Sequence, residues 1–251
     1  MRVSATTLVF AASPYCNAAP LVDRLQAVDG RVRIRFEHPA QLSVALKNKS
    51  ADVALIPVAD YFRCPDLAMI EGLGVAADGV VRSVLLKCNV PVAQVRSVMK
   101  DPASATSNAL AEVLFKRHFR RDVVMESFRE GAVVDAAVVI GDRALGSAPA
   151  LGGDIDLATA WKELTGLPFV FAVWAYRREH PFAAEFSGIA HAAYQAGIRS
   201  LPILTARFAE TLHCSQAFIH DYLTRCIRHE LGAREREGME LFRRMLAEGK
   251  T

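Results

Sequence analysis

No CxxC pair, no HExxH, no G-x-S-x-G and no Walker-type glycine loop occurs in this chain of 251 residues. Their absence removes the common signatures for zinc, serine-hydrolase and nucleotide-phosphate chemistry. The five cysteines (Cys16, Cys64, Cys88, Cys214 and Cys226) are odd in number and scattered, so reduced thiols and a cytoplasmic location are expected. The seven histidines show no ligand-like clustering and read mostly as surface residues, so no metal is expected. Charge is nearly balanced: 30 Lys and Arg against 27 Asp and Glu leave +3, too little to imply a nucleic-acid partner. The densest charge run, Arg234-Glu235-Arg236-Glu237, alternates in sign and reads as a solvated helix face. No apolar run approaches the ~20 residues that span a bilayer, so no membrane partner is expected. Arg2 and the residues 6–12 after it imitate an export signal weakly, but the apolar core is minimal and a first β-strand is the better reading.

What is present is an ordinary globular composition, 52% hydrophobic and 23% charged, arranged as alternating strand and helix signals. Strands are expected at 8–12, 32–37, 53–56, 83–87, 97–99, 123–125, 136–140 and 169–175. Helices are expected to open at Asn17, with Pro20 in the first turn, and to cover 39–49 and 106–119. From Phe182 onward the pattern is helical to the end. The segment WKELTGLPFVFAVW, Trp161 to Trp174, reads as a helix end, a glycine turn and a buried strand. No internal repeat or low-complexity segment is present. The plan read from this pattern is α/β, with a C-terminal helical return.

In an open α/β sheet, ligands bind beyond the carboxyl ends of strands, where helix N-termini face the cleft. Four places meet that condition. Tyr15-Cys16-Asn17 follows the first strand, and Asn17 serves either as a helix N-cap or as an amide donor to a ligand. The glycine-bearing stretch 72–83 reads as a loop entering a strand at Ser83, without dinucleotide spacing. Ser104, Thr106 and Ser107 put three hydroxyls at one helix start, where a cap needs one, and suit a carboxylate there. Asp142 follows a buried strand and reads as a turn cap or as a cleft carboxylate, acting as base or as orienter of a hydroxyl. Taken without further comparison, these residues describe a cleft for a small anion and no particular reaction.

Several stretches in order resemble the chorismate dehydratase family of the futalosine route to menaquinone. They are PYCNAAPLV at Pro14–Val22, DVALIPVADYF at Asp52–Phe62, GLGVAADGVVRSVLL at Gly72–Leu86, DPASATSNAL at Asp101–Leu110, IGDRAL at Ile140–Leu145, and WKELTGLPFVFAVW. HELGAREREGMELF, beginning at His229, also looks familial. The resemblance implies a type 2 periplasmic-binding-protein-like fold. Lobe 1 is expected to comprise residues 1–88 with 176–251, lobe 2 residues 89–175, and the active site lies in the cleft between them.

It further implies conversion of chorismate, a small-molecule dicarboxylate, to 3-[(1-carboxyvinyl)oxy]benzoate and water, without a cofactor. Asn17 matches the family's catalytic asparagine, Ser83 its loop-to-strand serine, and Thr106 with Ser107 its helix-start pair; Tyr15, Ser104 and Asp142 complete the expected substrate contacts. Being neutral, Asn17 is expected to orient the substrate or polarise a carboxylate that carries the developing charge. The base is then either Asp142 or the substrate's own enolpyruvyl carboxylate. Departures from the family pattern stand at Cys16, Ala77, Val80 and Ala105. Two alternatives remain: the pathway's 1,4-dihydroxy-6-naphthoate synthase, whose second-lobe histidine finds no counterpart here, and a non-catalytic solute-binding protein for a small anion.

Overall fold

Eleven strands form two separate sheets in the computed structural model, which describes residues 6–249. Arg2 and the outermost ends of the expected first lobe lie outside the described residues. The strands are β1 Leu8–Ala12, β2 Val32–Phe36, β3 Val53–Pro57, β4 Leu67–Ala77, β5 Val84–Cys88, β6 Ser97–Met99, β7 Val124–Glu126, β8 Ala136–Ile140, β9 Asp154–Asp156, β10 Phe169–Arg177 and β11 Arg228–Glu230. The first sheet runs in the order β11-β4-β10-β3-β1-β2 and the second β7-β6-β8-β5-β9. β1 pairs in parallel with β2 and β3, while β10 is antiparallel to both β3 and β4. In the second sheet, β6 is parallel to β7 and β8, and β5 is antiparallel to β8 and β9.

The central strands are apolar because helices cover both faces. All five residues of β3 are buried, as are Phe169, Val170, Phe171, Val173, Trp174 and Ala175 of β10. Phe10 packs edge-on against Trp174 and against Phe186 of the helix Ala183–Arg199, at 5.7 and 6.0 Å between ring centroids. A second aromatic cluster joins Trp161, Phe169 and Phe242, and the buried Trp161 indole N–H donates to the Pro168 carbonyl at 3.2 Å. The WKELTGLPFVFAVW segment is therefore helix Leu157–Thr165, a turn at Gly166, and β10.

Sheet membership differs from the expected lobe boundaries at both crossings. β5, expected in lobe 1, is a central strand of the second sheet, so the chain changes sheets between Ala77 and Val84 rather than after Cys88. β10, expected in lobe 2, is a central strand of the first sheet, so the return lies at residues 166–168. Both edges are set by antiparallel pairing with strands distant in sequence.

Residues 72–77, read as loop, belong to the eleven-residue β4. Gly74 marks crowding rather than a turn, since a Cβ there would lie 2.5 Å from the Ala172 carbonyl oxygen. Gly72 takes the left-handed φ of +81° within the strand. The short strands β9 and β11 also interrupt segments that read as loop and helix. The C-terminal return contains Ala183–Arg199, Leu201–Thr211, Gln216–Asp221, a π-helical turn Tyr222–Cys226 and Ala233–Glu248. Among the described residues no helix is long and apolar enough to cross a membrane.

Candidate active site

The carboxyl ends of β1, β3, β6 and β8 point toward one cleft between the two sheets. The cleft encloses about 630 Å3, counting the part open to solvent, and Tyr15, Asn17, Ser83, Ser104, Ser107 and Gly141 supply its polar wall. Leu42, Leu55, Val75 and Phe171 supply an apolar wall. A space of this size, with few polar groups on an apolar surface, suits one small organic molecule.

Asn17 stands in the middle of a 3-10 turn, Cys16–Ala18, that follows β1. It does not cap a helix, and its amide has no hydrogen-bonding partner among the described residues, which leaves it available to a ligand. The turn is held from behind by His229 on β11, whose Nε2 lies 2.7 Å from the Asn17 carbonyl oxygen. His229 is buried, and burial pushes its pKa down to about 4 against the opposing effect of that hydrogen bond. The ring is therefore neutral near pH 7, with Nε2–H as donor to the carbonyl. A surface position expected for this histidine is overturned: it sits 212 residues from its partner, and nothing local to its sequence reveals the contact.

Ser83 is fully buried at the first crossing between sheets. Asp156 shapes the approach to it, accepting from Val81 and Arg82 N–H at 2.9 and 2.7 Å and capping the helix Leu157–Thr165 with its other oxygen. Arg82 adopts φ +60° there, which turns the chain so that Ser83 N–H reaches the Val81 carbonyl. Behind Ser83, the Tyr222 phenol donates to Ser83 Oγ at 2.8 Å.

The hydroxyl-rich helix start divides into two functions. Ser104 is the N-cap of Ala105–Arg117: its Oγ accepts Ser107 N–H at 3.0 Å and donates to Ser107 Oγ at 2.8 Å. Ser104 and Ser107 face the cleft. Thr106 is absent from the cleft wall, and its buried Oγ1 accepts from Ala59 N–H at 3.1 Å. It ties the second sheet's helix to the first turn after β3. The approach to this helix is pinned by buried Asp101, which accepts from Ala103 N–H, Ile140 N–H and the Arg143 guanidinium. Asp101 stood in the sequence motif, but its long-range anchoring had no local signal.

Asp142 is likewise absent from the cleft wall. Its Oδ1 accepts from Cys16 N–H at 3.0 Å, so it spans the lobes next to Asn17. Burial raises its pKa, and the Cys16 hydrogen bond pulls the other way. Beside it, Tyr15 lies flat on Gly141, where a Cβ would sit 3.2 Å from the ring. Gly141 has φ +66°, a conformation that also favours glycine. Burial is the main cause that raises the Tyr15 phenol pKa, with Asp101 and Asp142 adding to it.

The cleft wall thus carries hydroxyls and one amide; Tyr15 is its sole ionisable side chain among the described residues. None of Asp, Glu, His, Lys or Arg lines it. Among the described residues, no group of three or more His, Cys, Asp or Glu is placed to hold a metal ion. The site can donate hydrogen bonds to an anion and exclude water, while offering little for proton transfer.

Two lobes around a donor-lined cleft define a periplasmic-binding-protein-like fold, and solved structures agree. A protein from Archaeoglobus fulgidus superposes with a TM-score of 0.72 at 13% identity, covering 99% of this chain and 100% of that one. The alkanesulfonate-binding protein SsuA from Xanthomonas axonopodis pv. citri gives 0.63 at 18% identity, covering 96% and 94%. The more specific assignment comes from sequence: residues 8–248 match the family model for menaquinone biosynthesis, and the chain belongs to that family. The chorismate dehydratase of Thermus thermophilus is 30% identical over 252 residues, with 91% of each chain covered. That of Campylobacter jejuni is 28% identical, with 94% of this chain and 96% of the other covered.

Proposed function

We propose that this protein is a chorismate dehydratase, a carbon–oxygen lyase that converts chorismate to 3-[(1-carboxyvinyl)oxy]benzoate and water. The observation that carries the reading, beside the relatives, is a cleft wall rich in neutral donors and without a carboxylate or imidazole. Chorismate brings two carboxylates, so Ser104, Ser107, Ser83 and the helix start bind it without a cation.

The reaction removes the ring proton on the carbon that bears the ether and expels the neighbouring hydroxyl with its bonding pair. The ring becomes aromatic, and proton and hydroxide leave as water. With Asp142 engaged across the lobes, the base in this reading is the substrate's enolpyruvyl carboxylate, close to the proton by virtue of the ether linkage. Asn17 donates its amide to the ring carboxylate, which takes up negative charge through the conjugated diene as the proton departs. Closure of the lobes, held by Asp142 and Thr106, keeps water out and fixes the ether torsion.

The test is incubation of purified protein with chorismate and chromatography of the products. Stoichiometric 3-[(1-carboxyvinyl)oxy]benzoate, undiminished after chelator treatment and dialysis, is the expected result. Tight binding of chorismate with no product would identify a solute-binding protein instead.

A further inference from the structure

Ser83 has one hydroxyl proton and no acceptor for it among the described residues. Its N–H donates to the Val81 carbonyl, its own carbonyl accepts from Gly141 N–H at 2.8 Å, and its Oγ accepts from Tyr222. The direction of that last bond follows from burial. Tyr222 is fully buried, and Ser83 Oγ is its phenol's one hydrogen-bonding partner among the described residues. Were Ser83 the donor, the Tyr222 proton would be left buried without a partner, which costs more than a typical hydrogen bond returns. Burial also holds the phenol pKa well above its ordinary value, so the proton stays on Tyr222. Ser83 Oγ is thereby fed from behind, and its own O–H is left with the cleft that Ser83 lines.

We propose that Tyr222 is a positioning residue that aims the Ser83 hydroxyl proton into the cleft, as a hydrogen-bond donor to a substrate oxygen. A free serine hydroxyl donates or accepts with equal ease. With Tyr222 occupying one of its two acceptor lone pairs, Ser83 turns its proton toward the cleft and favours a ligand acceptor such as a carboxylate oxygen. The donated bond also polarises the Ser83 O–H and strengthens what it gives. Ser107 has the same arrangement, since its Oγ accepts from Ser104 and its own proton is free for the cleft. Tyr222 reaches its place through the π-helical turn Tyr222–Cys226, a distortion often found at functional sites. The substrate named here rests on the chorismate reading; the polarity of Ser83 does not.

The experiment is a double-mutant cycle on ligand affinity, with wild type, Tyr222→Phe, Ser83→Ala and the double variant titrated calorimetrically. Chorismate is one probe and benzoate, a bare ring carboxylate, the other; circular dichroism checks each fold. Tyr222→Phe is expected to weaken binding about tenfold in the wild-type background and to change nothing further once Ser83 is alanine. 3-Fluorotyrosine at position 222, a more acidic phenol and stronger donor, is expected to tighten binding and serves if Tyr222→Phe does not fold. Wild-type affinity in Tyr222→Phe, or an equal loss in both backgrounds, overturns the proposal. Binding of benzoate but not chorismate overturns the dehydratase reading while leaving the cycle to be read with benzoate. Binding of neither overturns both.

Discussion

Asp142 Oδ1 accepts the Cys16 backbone N–H at 3.0 Å, so a carboxylate from one lobe fastens the turn of the other lobe that carries Asn17. Thr106 does the same for the turn after β3 through Ala59. Both residues, expected as substrate contacts, instead hydrogen-bond across the cleft, and in the proposed reading they hold it closed.

Asp142→Ala removes the acceptor and is expected to cut chorismate turnover ten- to hundredfold, the range for a lost hydrogen bond to a charged group. Asp142→Asn retains an acceptor oxygen and should keep most activity. Small-angle scattering should show a larger radius of gyration for the alanine variant. Equal loss in both variants would make Asp142 the base and refute the closing role.

Thr106 and Ser107 should separate. Thr106→Val strands the Ala59 N–H and is expected to lower stability by about 1–3 kcal/mol. Ser107→Ala removes an acceptor of the cleft-facing Ser104 hydroxyl, which water in the cleft can replace. It should therefore cost less stability than Thr106→Val and weaken chorismate binding about tenfold or more. Calorimetry and urea titration read the two effects apart, and a stability loss confined to Ser107→Ala would reverse the assignment.

Asn17→Ala should abolish turnover with almost no loss of stability. The half-buried side chain caps no helix and has no hydrogen-bonding partner among the described residues, so the change should cost within about 0.5 kcal/mol. Retained turnover in the purified variant would remove Asn17 from the chemistry.

His229 predicts an acid-sensitive component of stability. Its folded pKa, about 4, lies below the ordinary 6.5, so the unfolded chain takes up the proton first as pH falls. The stabilisation is complete above pH 6.5 and lost progressively between 6.5 and 4, about 3 kcal/mol in all. Comparing urea midpoints at pH 7 and 4.5, wild type should lose more stability than His229→Gln. An identical loss in the two proteins would show that His229 is not held neutral.

The alternation of apolar strands and amphipathic helices was legible because it is written in neighbouring residues. So were Asn17, Ser83, Ser104 and Ser107, polar residues at strand ends and a helix start, all of which line the cleft. The stretch 72–77 misled, since Gly72 and Gly74 read as a loop when the strand that crowds Gly74 is unknown. Gly74 is small because Ala172, 98 positions away, presents its carbonyl there. Lobe membership of β5 and β10 was equally hidden, because pairing in a sheet is a contact between distant segments.

The sequence by itself determined the fold class, the family and the chemical character of the cleft, all of which follow from residue type and local order. Tertiary structure alone decided which polar residues line the cleft and which bond across it. Thr106 and Ser107 are adjacent in sequence, yet one meets Ala59 and the other the cleft. Tyr222 lies 139 residues from Ser83, His229 212 from Asn17, and Asp142 126 from Cys16. A hydrogen bond depends on distance and direction within a few tenths of an ångström, and only the packed chain supplies those between residues so far apart.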